Sequence, residues 1–181
     1  IIRLAAAREL VNGIQINTDK KILEDFQKSA GFDYTKDQKR SIREIFADIS
    51  SGRVMDRLLS GDVGFGKTEV AMNAMLAVIL DGYQAIFVCP TTLLATQHYH
   101  SMQKRFSEFG ISIAKLDGKT PAKEKTHIKK GLESGEIKLV IGTHSLLEIK
   151  TNNLALVIID EEHKFGVKQK EKLKHLREDV H

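Results

Sequence analysis

The sequence has one cysteine, two prolines and no internal repeat or low-complexity tract. A lone Cys89 excludes an intrachain disulfide framework and any cysteine-rich zinc module, and it fits a reducing compartment. Two prolines and 13 glycines leave little room for a flexible linker. The longest near-apolar run, residues 71–80, is about half of what a bilayer-spanning helix needs. No basic-then-apolar leader is present, so neither secretion nor membrane insertion is supported and a cytoplasmic location is expected. The charge imbalance is small as well. Lys plus Arg number 28 against 24 Asp plus Glu, a net +4 that does not by itself indicate a nucleic-acid partner.

What is present is enough for one domain with a real core: 181 residues, 41% hydrophobic and 29% charged. The chain starts at Ile1 without an initiator Met, which reads as a piece excised from a longer protein. Residues 1–34 read as a helical lead-in. A short helix is expected near Ile2 to Val11 and another after Thr18, where Ile22, Leu23 and Phe26 share a face before Gly31. Thr35-Lys36-Asp37-Gln38 then has the capping-box form, followed by Ile42, Ile45, Phe46 and Ile49 at helical spacing.

From there the pattern alternates. Short runs at 54–59, 85–89, 111–116, 137–141 and 154–159 are rich in Ile, Val and Leu. Between them lie helical stretches: 68–81, apolar nearly all round; 93–109, with Ala95, Tyr99, Met102, Phe106 and Phe109 on one stripe; and one opened by Thr120-Pro121, with Pro at its first position. Five strands alternating with helices predict an α/β fold with a parallel sheet covered on both faces, binding ligands at the carboxyl ends of its strands.

Gly61-Asp62-Val63-Gly64-Phe65-Gly66-Lys67-Thr68 fits G-x-x-x-x-G-K-[ST] in full, between a predicted strand and a predicted long helix. Glycines let such a loop turn its backbone N–H groups onto phosphate oxygens, and the helix N-terminus adds positive dipole. Lys67 would reach the β- and γ-phosphates of ATP, and the Thr68 hydroxyl would ligate Mg²⁺. The partner feature is an acidic residue ending another apolar strand, and residues 154–159 deliver Asp160-Glu161-Glu162-His163. Asp160 would hold Mg²⁺ through water, and Glu161 would orient and deprotonate the attacking water.

At these residues the sequence resembles the transcription-repair coupling factors, a family of superfamily 2 DNA translocases. The likeness is carried by Met55-Asp56-Arg57-Leu58 leading into the Gly61–Thr68 loop and on through Glu69-Val70-Ala71-Met72, by Pro90-Thr91-Thr92-Leu93-Leu94-Ala95, by Gly142-Thr143-His144, and by the acidic box with Lys164-Phe165-Gly166-Val167-Lys168-Gln169-Lys170. It runs from about Phe26 to Gln169; residues 1–25 resemble nothing strongly. The related fork-remodelling helicases of the RecG type share the plan, but Glu162 and Phe65 favour the coupling factors.

The resemblance implies that residues 35–181 form the first RecA-like, phosphate-loop NTPase lobe. It implies DNA-backbone contacts at Thr91, Thr92, Thr143 and His144, which grip phosphate without reading sequence; from the residues alone each Thr is a helix cap. Phe32 and Gln38 resemble an adenine-recognition motif. For Gln38 the capping box is the competing role, and for Phe32 it is core packing. His163 is expected either to couple nucleotide state to DNA or to be merely structural. His98 and His100 lack Cys or carboxylate neighbours at ligand spacing, which argues against zinc. Lys119, Lys123, Lys125, Lys129 and Lys130 form either a nucleic-acid patch or a solvated helix face.

The implied partners are the double-stranded DNA backbone and, through domains outside this sequence, RNA polymerase and excision-repair proteins. The alternatives are a fork-remodelling helicase or a nucleotide-binding interaction module that does not hydrolyse ATP. Such lobes carry a further core strand between the phosphate-loop strand and the acidic-box strand, and this chain stops before it. Residues 54–59 and 154–159 are therefore expected not to pair directly. The gap would be closed by a strand from another copy, by rearrangement of a terminal segment, or by chain that continues beyond these residues. With the second lobe and its arginine finger absent, hydrolysis by these residues alone is expected to be close to nil.

Overall fold

The computed structural model describes residues 2–6, 20–50, 56–59, 64–161 and 166–168. In chain order these form β1 (Ile2–Ala6), α1 (Lys20–Lys28), α2 (Lys36–Ser50), β2 (Asp56–Leu59), α3 (Gly64–Leu80), β3 (Gln84–Val88) and α4 (Thr92–Ser107). They continue with β4 (Ile113–Leu116), α5 (Ala122–Ser134), β5 (Leu139–Gly142), a 3-10 turn (His144–Glu148) and β6 (Leu154–Asp160). One sheet runs β2-β1-β6-β3-β5-β4. Strands β6, β3, β5 and β4 are parallel to one another. Strand β1 is antiparallel to both of its neighbours, so β2 runs with the parallel set.

The first strand corrects the sequence reading, which made a helix from Ile2 to Val11. Residues 2–6 are extended, and 7–11 lie outside the described residues. The local pattern fits a helical period, but the sheet overrides it. Strands β2 and β6 do not pair with each other, and β1 fills the space between them. Leu4 pairs with Arg57 on one side and Ile158 on the other. An unfilled slot would orphan two rows of backbone groups, at roughly 1–3 kcal/mol per buried group. The expected gap is thus closed by a terminal segment.

Burial follows the strand period of two. Ala85, Phe87 and Cys89 join one apolar cluster, with Ile2, Leu4, Leu23, Phe26, α3, Met102 and Phe106. Ile86, Val88, Val157 and Ile159 join a second, with Ile128, Leu132, Leu146 and Leu147. Helices therefore cover both faces: α1 to α4 on one side and α5 on the other. Helix α3 is buried throughout Val70 to Ile79, as its all-round apolar pattern requires. The Thr35–Gln38 capping box closes in both directions, with Gln38 N donating to Thr35 Oγ1 (3.1 Å) and Thr35 N to Gln38 Oε1 (2.8 Å). Pro121 sits at the N-cap of α5 rather than inside it, one residue earlier than its sequence assignment.

Two polar details shape the sheet. Gln84, fully buried in β3, donates to the carbonyls of Leu132 (2.9 Å) and Ile137 (2.8 Å). It also accepts from the N–H groups of Asn152 (3.0 Å) and Asn153 (2.8 Å). Gly142 ends β5, where a Cβ would come 1.9 Å from the Leu116 carbonyl oxygen and 2.9 Å from Leu146 Cδ1. Only glycine lets β4 and β5 lie this close. Gly142→Ala is expected to cost at least the ~1–3 kcal/mol of ordinary overpacking, because the clash is with backbone. A thermal unfolding midpoint unchanged by this substitution would contradict that spacing.

Candidate functional site

Strand register assembles the site. Val88 pairs with Gly142 on one side and Ile159 on the other, so the residues that follow each strand emerge side by side. Cys89 N donates to Gly142 O at 2.8 Å. Ile2 pairs with both Leu59 and Asp160, so the end of β2 is level with the acidic box, one strand away. Pro90–Thr92, Thr143-His144, Asp160-Glu161 and the end of β2 therefore share one side of the sheet, at the carboxyl ends of its parallel strands.

Of the phosphate loop, Gly61, Asp62 and Val63 lie outside the described residues. Gly64, Phe65, Gly66, Lys67 and Thr68 form the first turn of α3. A helix start leaves its first four N–H groups without intrahelical partners. Lys67 and Thr68 are half-buried there. Gln38 Nε2 donates to Gly66 O at 3.4 Å, so the residue that closes the capping box also touches this turn. Phe32 is 50% exposed, which excludes core packing; its ring lies 5.9 Å from that of Tyr34.

Asp160 is 8% exposed at the end of β6. Glu161 follows with φ +53°, the one positive φ at a non-glycine among the described residues. An L residue held in this region carries strain, and such outliers concentrate at functional sites. Glu162 and His163 lie outside the described residues, so the coupling role expected of His163 has no structural account.

The structure supplies partners that sequence spacing missed. His98 on α4 meets Asp160, with Nε2 2.8 Å from Oδ2, and Cys89 lies beside them. His98 has no Cys or carboxylate neighbour at ligand spacing in the sequence, but the fold supplies both, joining residues 62 apart. Candidate ligand atoms of Cys89, His98 and Asp160 lie within 4.8 Å of one another. Burial pushes the Cys89 thiol up, and the Asp160 and Glu161 carboxylates push it further.

Behind the phosphate turn lies a buried polar network. Glu69, next to Thr68 and 4% exposed, accepts from the Tyr34 hydroxyl and pairs with the Arg105 guanidinium of α4. Asn73 Nδ2 donates to Tyr34 Oη (3.0 Å) and Glu69 O (2.9 Å), and Gln27 Nε2 donates to Asn73 Oδ1 (2.9 Å). Arg105 also donates to Phe26 O (2.8 Å) and lies 4.2 Å over the Phe26 ring. Burial, then the hydrogen bond to Glu69, raises the Tyr34 pKa above its usual value. The available signal was Glu69 and Asn73 breaking an otherwise apolar helix.

Thr91 caps α4, its side chain accepting from Leu94 N at 3.2 Å. Thr91 and His144 are exposed, Thr92 is half-buried and Thr143 is buried. A cleft beside them is lined by Gly118, Lys125, Lys129, Thr143 and His144, so two of the five clustered lysines face these loops. Among the described residues no helix is long and apolar enough to cross a membrane.

Residues 35–181 match the DEAD/DEAH box helicase family. The whole chain is 53% identical to the transcription-repair-coupling factor of Helicobacter pylori strain J99, covering 18% of that protein. Over 94% of its length it is 47% identical to the ATP-dependent DNA helicase RecG of Thermotoga maritima, covering 22% of it. A solved structure of RecG bound to a three-way DNA junction superposes with a TM-score of 0.74 at 45% identity, covering 81% of this chain and 20% of that one. The chain thus spans about a fifth of the length of these relatives.

Proposed function

Since the chain belongs to the DEAD/DEAH box helicase family, we propose that it is the ATP-binding lobe of an ATP-dependent translocase on double-stranded DNA. The common side of the sheet carries this reading. Register brings the carboxylate pair and the threonine-bearing loops level with the end of β2, after which Lys67 and Thr68 lie in the first turn of α3. The donors fit the group they would hold. Orphan N–H groups and an ammonium suit phosphate, and a hydroxyl with a carboxylate suits a hard cation such as Mg²⁺.

In this reading Lys67 and the loop amides bind the β- and γ-phosphates, and Thr68 and Asp160 hold Mg²⁺, which supplies charge neutralisation on the phosphates. Glu161 orients the attacking water and takes its proton as ADP and phosphate form. Gln38 and Phe32 contact adenine. Thr91, Thr92, Thr143 and His144 meet DNA phosphates without reading sequence. Similarity to the coupling factors extends the proposal: in the full-length cytoplasmic protein this lobe would drive displacement of stalled RNA polymerase and hand the site to excision repair.

The test is titration calorimetry with Mg-ADP. Removing one charge-assisted contact in Lys67→Ala is expected to weaken binding roughly 10- to 100-fold. Unchanged affinity would remove this loop from the nucleotide site. The likeness to junction-bound RecG favours a second reading, fork remodelling. Equal stimulation of ATP turnover by linear duplex and by a three-way junction supports the first reading; stimulation confined to the junction supports the second.

A further inference from the structure

We propose that His98 is a positioning residue, holding the Asp160 carboxylate and tying it to helix α4, whose first residues flank the proposed DNA track. The proposal rests on the reading of Asp160 given above and adds a residue and a route of coupling to it. A carboxylate oxygen only accepts, so the 2.8 Å contact makes His98 Nε2 the donor and Asp160 Oδ2 the acceptor. Both side chains are largely withdrawn from water, at 19% and 11% exposure, so solvent competes weakly for the bond. The imidazole is also fixed from the side, lying 4.9 Å from the buried Phe87 ring at an interplanar angle of 50°. With Oδ2 engaged, the direction of the other carboxylate oxygen is set.

The placement of His98 gives the contact a further meaning. It lies less than two helical turns beyond Thr91 and Thr92, on a helix that starts at the Thr91 cap. A helix this short transmits movement of its first turn as a rigid rod. Phosphate seated at Thr91 and Thr92 would therefore reach Asp160 through one hydrogen bond.

The experiment compares the full-length protein with His98→Ala, His98→Gln and, as a control on the underlying reading, Asp160→Asn. ADP affinity is measured by calorimetry with and without Mg²⁺, and kcat and KM for ATP with and without duplex DNA. Loss of a group that orients a metal ligand typically costs 10- to 100-fold in metal affinity. His98→Ala should therefore shrink the gain in ADP affinity given by Mg²⁺ about tenfold, leave metal-free ADP affinity unchanged, and cut DNA stimulation mainly in kcat. His98→Gln, which keeps an N–H donor, should recover much of both.

A Mg²⁺ gain as large in His98→Ala as in the parent overturns the proposal. So does a parallel loss of metal-free and Mg²⁺-dependent affinity, or a Gln variant no better than Ala. If Asp160→Asn itself keeps the full Mg²⁺ gain, the failure lies in the reading of Asp160, and the positioning role falls with it. Should His98→Ala not fold, His98→Phe keeps a ring against Phe87 without the donor and is read in its place.

Discussion

Replacing Glu161 by Gln in the full-length protein should lower ATP turnover about 10²- to 10⁴-fold, the range a positioned general base supplies. Mg-ATP affinity should stay within a few-fold. The amide matches the carboxylate in shape, so it can occupy the same strained backbone position, φ +53°, beside Asp160. It can still orient a water molecule, but it cannot take the proton. Lys67, Thr68 and Asp160, which hold nucleotide and metal in this account, are untouched. Steady-state phosphate release paired with calorimetry checks both halves. Turnover at the parental level would deny Glu161 the role of base, and loss of binding together with turnover would make it structural.

The second large effect is on stability. Glu69→Ala should cost about 3–5 kcal/mol, because it leaves Arg105 partly buried without its carboxylate partner. It also strands the Tyr34 hydroxyl, which donates to Glu69. The pair joins α3 to α4, and through Phe26 O and the Phe26 ring Arg105 reaches α1. The loss should therefore appear in hydrogen exchange as faster opening of all three helices together. Replacing both partners, Glu69→Leu with Arg105→Met, should recover a large part of the loss, since no lone charge is left behind. Recovery will fall short, because the Tyr34 hydroxyl loses its acceptor. Protection of α1 unchanged in Glu69→Ala would contradict the role given to the network.

Which features the sequence disclosed follows from how local each one is. The phosphate loop and the acidic box are contiguous, and their chemistry is written in adjacent residues. The Thr35–Gln38 box is a reciprocal pair of bonds between residues three positions apart and needs no tertiary information. The strands of the parallel set and the buried helix α3 follow from apolar runs longer than any competing pattern. What stayed hidden depends on groups far apart in the chain.

Ile2 to Ala6 has a helix-compatible sequence and is extended because two strand edges need partners. The His98–Asp160 contact spans 62 residues, and the bonds of Glu69 to Tyr34 and Arg105 span 35 and 36. No spacing rule on one helix or strand can see such pairs. The exposure of Phe32 was equally hidden, since an aromatic before a capping box is compatible with either burial or display.

In the proposed function the carboxyl ends of the strands serve both nucleotide and the DNA backbone. The measurement that bears on this is ATP turnover by the full-length protein, titrated with duplexes of unrelated sequence at several salt concentrations. Every duplex should stimulate turnover to the same plateau. The half-saturating DNA concentration should rise linearly with salt on logarithmic axes, as phosphate contacts require, and should rise again in a Thr91→Ala, His144→Ala double variant whose DNA-free turnover is unchanged. Turnover indifferent to DNA, or responsive to one base sequence alone, would contradict it.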